Sequence, residues 1–266
     1  GIGNTTVQDT LTDVHLFRAA SITKSMTAAI IMKLHEMDEL NIYDLVNDYI
    51  DATALPTELT LEHLLNHSGA IFDHLNEFST VGEDLYETAV ADPERAWETQ
   101  EIVDFIIANS NPAAQVNQTH NYSNGGYYLL GHIIETVTQM PLSEAFATYL
   151  IEPIGLENTF LDDSSTVSAP IANLAENHAA YNRHRTFVGA AGAAVSTPSD
   201  LVKYAKAVYG GNYVNQELTD LMITESVHTA GNTVETYGLG TRIWGNIELY
   251  RYFNVGHTGS LANYQS

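Results

Sequence analysis

Apolar positions along the chain recur mostly at helical spacing. The clearest stretch is 21–38 (SITKSMTAAIIMKLHEMD), where Met26, Ala29, Ile30, Leu34 and Met37 fall three and four residues apart. A short helix is predicted over 59–66, broken by Ser68-Gly69. Another is predicted over 99–109, stopped before Pro112. The segment 123–138 (SNGGYYLLGHIIETVT) reads as an amphipathic helix entered through an Asn/Gly-rich loop, and helices over 142–150, 199–209 and 216–225 follow. The polar opening, 1–15, reads as a strand end or loop, and 70–97 as irregular and acidic. The small-residue run 190–194 permits close backbone approach.

Near the end the period changes. Segments 236–244 and 247–255 are rich in Tyr, Ile, Val and Phe and are joined by Gly245-Asn246, which predicts a β-hairpin. A helical middle over about 21–225 and β structure over about 234–266, with the N-terminal stretch, make an α+β fold in one domain over 1–266. One hairpin is not a stable sheet, and the chain stops at Gln265-Ser266 inside an apparent strand. The expectation is therefore a domain incomplete at both ends, with an unfinished sheet edge that could pair with another chain.

Composition narrows the function classes. The chain is 44% hydrophobic, enough for a sizeable core. It has no Cys, which excludes a disulfide scaffold and a thiol nucleophile. Lys and Arg number 10 against 33 Asp and Glu, a net charge of −23 that repels nucleic acid and anionic lipid. No apolar run approaches a membrane span. The expected partner is a small-molecule or peptide substrate, with no cofactor and no metal. His63 and His67, four apart, could share one metal, but Leu64 stands where a zinc-protease pair has Glu, and a helix-end cap beside Ser68-Gly69 is preferred. The acidic residues between 83 and 101 read as a solvated face.

Three short segments carry candidate chemistry. Ser21 and Lys24 are three apart at a helix start, so the amine can lie beside the hydroxyl. A desolvated Lys can take the proton that makes Ser a nucleophile; the alternative is a capping Ser with a solvated Lys. Tyr122-Ser123-Asn124 offers a phenol to shuttle a proton and a side-chain amide that can donate to and accept from a substrate amide, or else only a loop with Asn as the cap. His257-Thr258-Gly259-Ser260 can hold an anion and present a strand N–H to an oxyanion, or else is only a turn. Arg242 is a candidate second carboxylate clamp or an exposed strand residue.

Taken together and in that order, SxxK, YxN and HTG resemble the serine β-lactamase and DD-peptidase superfamily. The YSN and HTG forms are most similar to its class C β-lactamase, DD-carboxypeptidase and β-lactamase-like esterase branch. FRAASITKSMTA, LTLEHLLNHSG, IEPIGLENTF, GAAVSTPSDLVKYA and GHTGSLANYQS add to the resemblance, which runs from about Leu16 to the end. It implies a β-lactamase/transpeptidase-like fold and a serine hydrolase working through an acyl-enzyme. Ser21 would be the nucleophile, Lys24 its base or base partner and Tyr122 the proton shuttle. Asn124 would bind the substrate amide, His257 and Thr258 the substrate carboxylate. Gly259 would let the substrate lie against the strand, and the N–H groups of Ser21 and Ser260 would form the oxyanion hole. His257 stands where β-lactamases usually carry Lys, which implies a DD-carboxypeptidase rather than efficient β-lactam hydrolysis. An esterase and a non-catalytic binding homologue are the alternatives. The resemblance also implies a periplasmic or secreted protein.

Overall fold

The computed structural model describes residues 2–4, 9–10, 12, 15–163, 184–224, 226–228, 235–245, 254–261 and 264–265. The helix expected over 21–38 is α1 (Ile22–Glu36), buried at every position from Thr23 to Met32 and again at Leu34. It is apolar on more than one side, so it lies inside the core rather than on its surface. Buried hydroxyls cost free energy unless they are bonded, and those of α1 are bonded. Thr23 Oγ1 accepts from Ala194 N–H at 3.0 Å, Thr27 Oγ1 donates to Ala190 O at 2.8 Å, and Ser25 Oγ accepts from Tyr204 OH at 3.0 Å. The first two tie α1 to the small-residue run, as close backbone approach requires.

Helix α2 (Leu61–Leu65) starts at Thr60, whose side chain accepts from His63 N–H while His63 Nδ1 accepts from Thr60 N–H. His63 thus caps a helix start, not the helix end that its sequence context suggested. Helix α3 (Leu85–Ala91) corrects the reading of 70–97 as irregular. Asp84 caps it by accepting from Tyr86 N–H, and Glu87 at the third position completes a start signal that the acidic composition masked. Helix α4 (Thr99–Asn109) has the predicted bounds. Helix α5 (Asn124–Thr138) packs against α1, α2 and α4, and against α6 (Leu142–Phe146). The expected helix over 142–150 does not run straight: a π-type turn (Ala147–Ile151) leads into α7 (Glu152–Ile154). Pro153 has no N–H for the carbonyl of Tyr149, and Tyr213 OH donates to that carbonyl instead, at 2.6 Å. Helices α8 (Arg185–Val188), α9 (Pro198–Val208) and α10 (Gln216–Ile223) complete the set among the described residues. None is long and apolar enough to cross a membrane.

All strand pairs described are antiparallel. The opening stretch pairs β1 (Ile2–Asn4) with β2 (Asp9–Thr10). Strands β3 (Phe17–Arg18), β4 (Phe160–Leu161) and β5 (Ala194–Ser196) form a three-stranded sheet with β5 central. Strands β6 (Val227–His228), β7 (Glu235–Tyr237), β8 (Arg242–Trp244) and β9 (Asn254–Gly256) pair in sequence order, and β10 (Ser260–Leu261) pairs with β11 (Tyr264–Gln265). The single strand expected over 236–244 is therefore two, folded back on each other at 238–241. Gly240 lies at φ +67°, and a Cβ there would stand 2.2 Å from Ala28 Cβ on α1, so only glycine fits this turn against the core helix. The expected hairpin survives as the pairing of β8 with β9, Arg242 opposite Gly256. Its turn at Asn246 and the run to residue 253 lie outside the described residues, as does Ser266.

Candidate active site

Ser21 occupies the N-cap position of α1 but makes no capping hydrogen bond. It follows Ala20, a buried non-glycine residue at φ 48°, a backbone strain of the kind found where a side chain must be aimed. Ser21 Oγ instead lies 3.1 Å from Lys24 Nζ and 3.0 Å from Tyr122 OH. Lys24 is 0% exposed, not solvated. Its amine also contacts Asn124 Oδ1 at 2.6 Å and Ala191 O at 2.7 Å, and stands 4.9 Å from the centre of the Tyr122 ring. In the YSN segment the cap is Ser123, which accepts from Gly126 N–H, so Asn124 begins α5 with its side chain free to face Lys24. A serine hydroxyl held between an amine and a phenol can give up its proton while a second proton waits nearby.

These groups open on a cleft of about 390 Å³. Ser21, Tyr122, Asn124, Arg242, Thr258 and Ser260 all line it. So do Tyr86, from the α3 that sequence reading missed, and Val188. Residues 257–259 connect β9 to β10, with Gly259 buried and Thr258 and Ser260 exposed. The His257 ring turns to Tyr237, whose OH meets Nε2 at 2.9 Å, while Nδ1 meets Thr258 O at 2.6 Å. Since a carbonyl only accepts, Nδ1 carries the proton and Nε2 accepts from Tyr237. Burial, reinforced by the nearby Lys24 and Arg242 and opposed by the Thr258 carbonyl, lowers the His257 pKa to about 3. Arg242 is half-buried. Its Nη1 donates to Glu235 at 2.9 Å, its guanidinium lies 5.7 Å from the Tyr122 ring centre, and its Nε is buried without a hydrogen-bond partner among the described residues.

Two residues that sequence reading did not connect to the site lie behind it. Asp73 receives both hydrogen bonds of the Asn124 amide. His67, 2% exposed, stacks at 4.3 Å on Tyr122, and its Nδ1 accepts from Ser123 N–H at 3.1 Å. A metal shared by His63 and His67 has no support in this placement, since each ring serves a backbone N–H of its own. Among the described residues no group of three or more His, Asp or Glu is gathered for a metal ion.

Burial first, then His120, Lys24, His257 and Arg242, hold the His67 pKa well below its usual value. The unfolded ring titrates near ~6.5, so below that pH unfolding takes up a proton that the folded ring refuses. Stability from the neutral ring is complete above ~6.5 and is lost as pH falls toward the folded pKa, by up to about 1.4 kcal/mol per pH unit. The urea midpoint is thus expected to fall between pH 7 and pH 5. His67→Asn, which keeps an acceptor for Ser123 N–H, should fall less steeply; parallel slopes for the two proteins would refute the reading.

Helices around a buried SxxK helix, antiparallel sheets, and a cleft serine in contact with a buried lysine and a tyrosine define a class of protein with known members. The chain belongs to the beta-lactamase family, whose model matches residues 1–266, and it has the β-lactamase/transpeptidase fold. It is similar to Penicillin-binding protein 4* of Bacillus subtilis (strain 168), 25% identical over 94% of this chain and 57% of that one. Among solved structures, D-amino acid amidase from Ochrobactrum anthropi SV3 superposes with a TM-score of 0.80 at 23% identity, covering 100% of this chain and 75% of that one. The penicillin binding protein from Bacillus halodurans gives 0.81 at 20% identity, covering 100% and 80%. The chain spans about half the length of the curated relatives it matches.

Proposed function

We propose that the chain is a serine hydrolase acting on a peptide, β-lactam or ester carbonyl through an acyl-enzyme on Ser21. The observation that carries this reading is the approach of both Lys24 Nζ and Tyr122 OH to Ser21 Oγ. Ser21 attacks the carbonyl carbon as its proton passes to Lys24. The carbonyl oxygen takes the negative charge and is received by the N–H groups of Ser21 and Ser260. The bond to the leaving group breaks as Tyr122 returns a proton to it. Water then releases the acyl group from Ser21 by the same steps in reverse order. With its N–H groups on Asp73 and one Oδ1 lone pair on Lys24, Asn124 offers the substrate its remaining Oδ1 lone pair, as an acceptor for an N–H; Gly259 lets the substrate lie along the strand, and Thr258 contacts its far end.

The leaving group divides two readings. With His257, Thr258 and Arg242 as a carboxylate clamp, the substrate is a peptide with a free C-terminal carboxylate, as for a DD-carboxypeptidase. A specific observation favours a neutral amide or ester instead: both ring nitrogens of His257 are bonded, to Tyr237 OH and Thr258 O, and Arg242 is engaged by Glu235. Intact-mass spectrometry after exposure to a fluorophosphonate and to a penicillin is expected to show one adduct, mapped to Ser21 and absent from Ser21→Ala. No adduct on the folded wild-type chain with either probe would overturn the serine-hydrolase reading. Turnover of a D-Ala-D-Ala peptide against p-nitrophenyl acetate then separates the two leaving groups.

A further inference from the structure

Asp73 is 4% exposed and reaches Lys24 through Asn124, while its carboxylate's other partners, Leu75 and Asn76, line the cleft. Asn124 Nδ2 donates to both its oxygens at 3.0 Å, Leu75 N–H donates to Oδ1 at 3.0 Å, and Asn76 Nδ2 donates to Oδ2 at 2.8 Å. Asn124 is itself 6% exposed, with Oδ1 on Lys24. A carboxylate accepts and never donates, so it can face only the NH2 of an amide. That choice leaves Asn124 Oδ1, which can only accept, turned toward Lys24.

The consequence falls on the amine. In its uncharged form Lys24 Nζ has two N–H bonds and one lone pair. Three groups surround it: Asn124 Oδ1, Ala191 O and Ser21 Oγ. The first two can only accept, and they claim both N–H bonds. The lone pair is left pointing at Ser21 Oγ, the direction from which a base must take the proton. If Asn124 were turned over, its NH2 would face Lys24 and draw the lone pair away from Ser21.

We infer that Asp73 is a positioning residue: by locking the Asn124 amide in one orientation it aims the Lys24 lone pair at Ser21. The inference rests on the proposed roles of Ser21 and Lys24. The step it serves is the transfer of the Ser21 hydroxyl proton to Lys24 Nζ as the Oγ–carbon bond forms and the carbonyl π pair moves onto oxygen. Asp73 takes no proton in that step.

The test is the second-order rate of fluorophosphonate labelling of the full chain in a double-mutant cycle. Asp73→Asn is nearly isosteric and can still accept from Leu75 N–H, but it can also donate to Asn124, so it no longer dictates the orientation. Labelling is expected to slow by about 10- to 100-fold. In an Asn124→Ala background, where there is no amide to orient, the same change is expected to cost less than about twofold. A packing role would give equal losses in the two backgrounds. Asp73→Ala is read in the same cycle, with thermal unfolding followed for every variant, so that a variant that does not fold is replaced by the other. Labelling of Asp73→Asn at the wild-type rate, or losses that multiply in the double variant, overturn the inference while leaving the serine hydrolase standing. Absence of Ser21-dependent labelling in the wild type overturns both.

Discussion

Replacing Lys24 with methionine is expected to slow acylation of Ser21 by about 10²–10⁴-fold, the range a positioned general base contributes. The side chain is fully buried and its amine is within 3.1 Å of Ser21 Oγ. Methionine fills similar space but offers no base. Tyr122 OH, at 3.0 Å, is the other group that could take the proton. The comparison with Tyr122→Phe therefore apportions the work: a larger loss from Lys24→Met assigns the base to the amine. The change also leaves Asn124 Oδ1 and Ala191 O without their donor, and each orphaned buried acceptor costs about 1–3 kcal/mol. The variant should thus unfold at lower temperature, and labelling is read well below its midpoint. Labelling within tenfold of wild type would remove Lys24 from the chemistry.

The parts of the fold that were legible in the sequence are those in which local pattern and tertiary context agree. The bounds of α4 follow from its apolar spacing and the downstream Pro112, and those of α1 and α5 differ from expectation by one or two residues. Strands β3, β4 and β5 span two or three residues each, too few to carry a period of two. The break within 236–244 is decided by the approach of Gly240 to Ala28, a contact made across more than two hundred residues that no local pattern records. The site divides in the same way. Ser21 and Lys24 are neighbours on one helix turn, so their spacing alone states the contact. Asp73 and His67 are single residues whose partners, Asn124 and Ser123, lie 51 and 56 positions away. Nothing in their own segment announces the pairing. The engagement of Arg242 by Glu235 depends on the β7–β8 turn, and was hidden for as long as 236–244 read as one strand.

Adjacent glycines at the start of α5 give the sharpest expected contrast in stability. A Cβ on Gly125 would stand 2.1 Å from Phe72 O and 3.2 Å from Ile106 Cγ2. The obstacle is backbone, and it is held on both sides: Phe72 N–H donates to Ser110 Oγ at 3.1 Å, and Phe72 O accepts from Ser123 Oγ at 3.3 Å. Alanine is the better helix former by up to about 1 kcal/mol, but a contact this short forces backbone movement, with an overpacking cost of about 1–3 kcal/mol. Overpacking wins, and Gly125→Ala is expected to lose stability. The start of α5 must also retreat from 72–73, which draws Asn124 away from Asp73, so labelling of Ser21 should slow even in the folded protein. One residue on, a Cβ on Gly126 would meet Leu64 Cδ2 at 3.7 Å and Leu64 O at 3.9 Å, ordinary contacts. Only the propensity difference remains there, and Gly126→Ala is expected to match or slightly exceed the wild type. Urea unfolding of the two variants side by side decides the matter: equal stability would mean that 72–73 yields to α5, and the tight seat assigned to Asn124 would be lost with it.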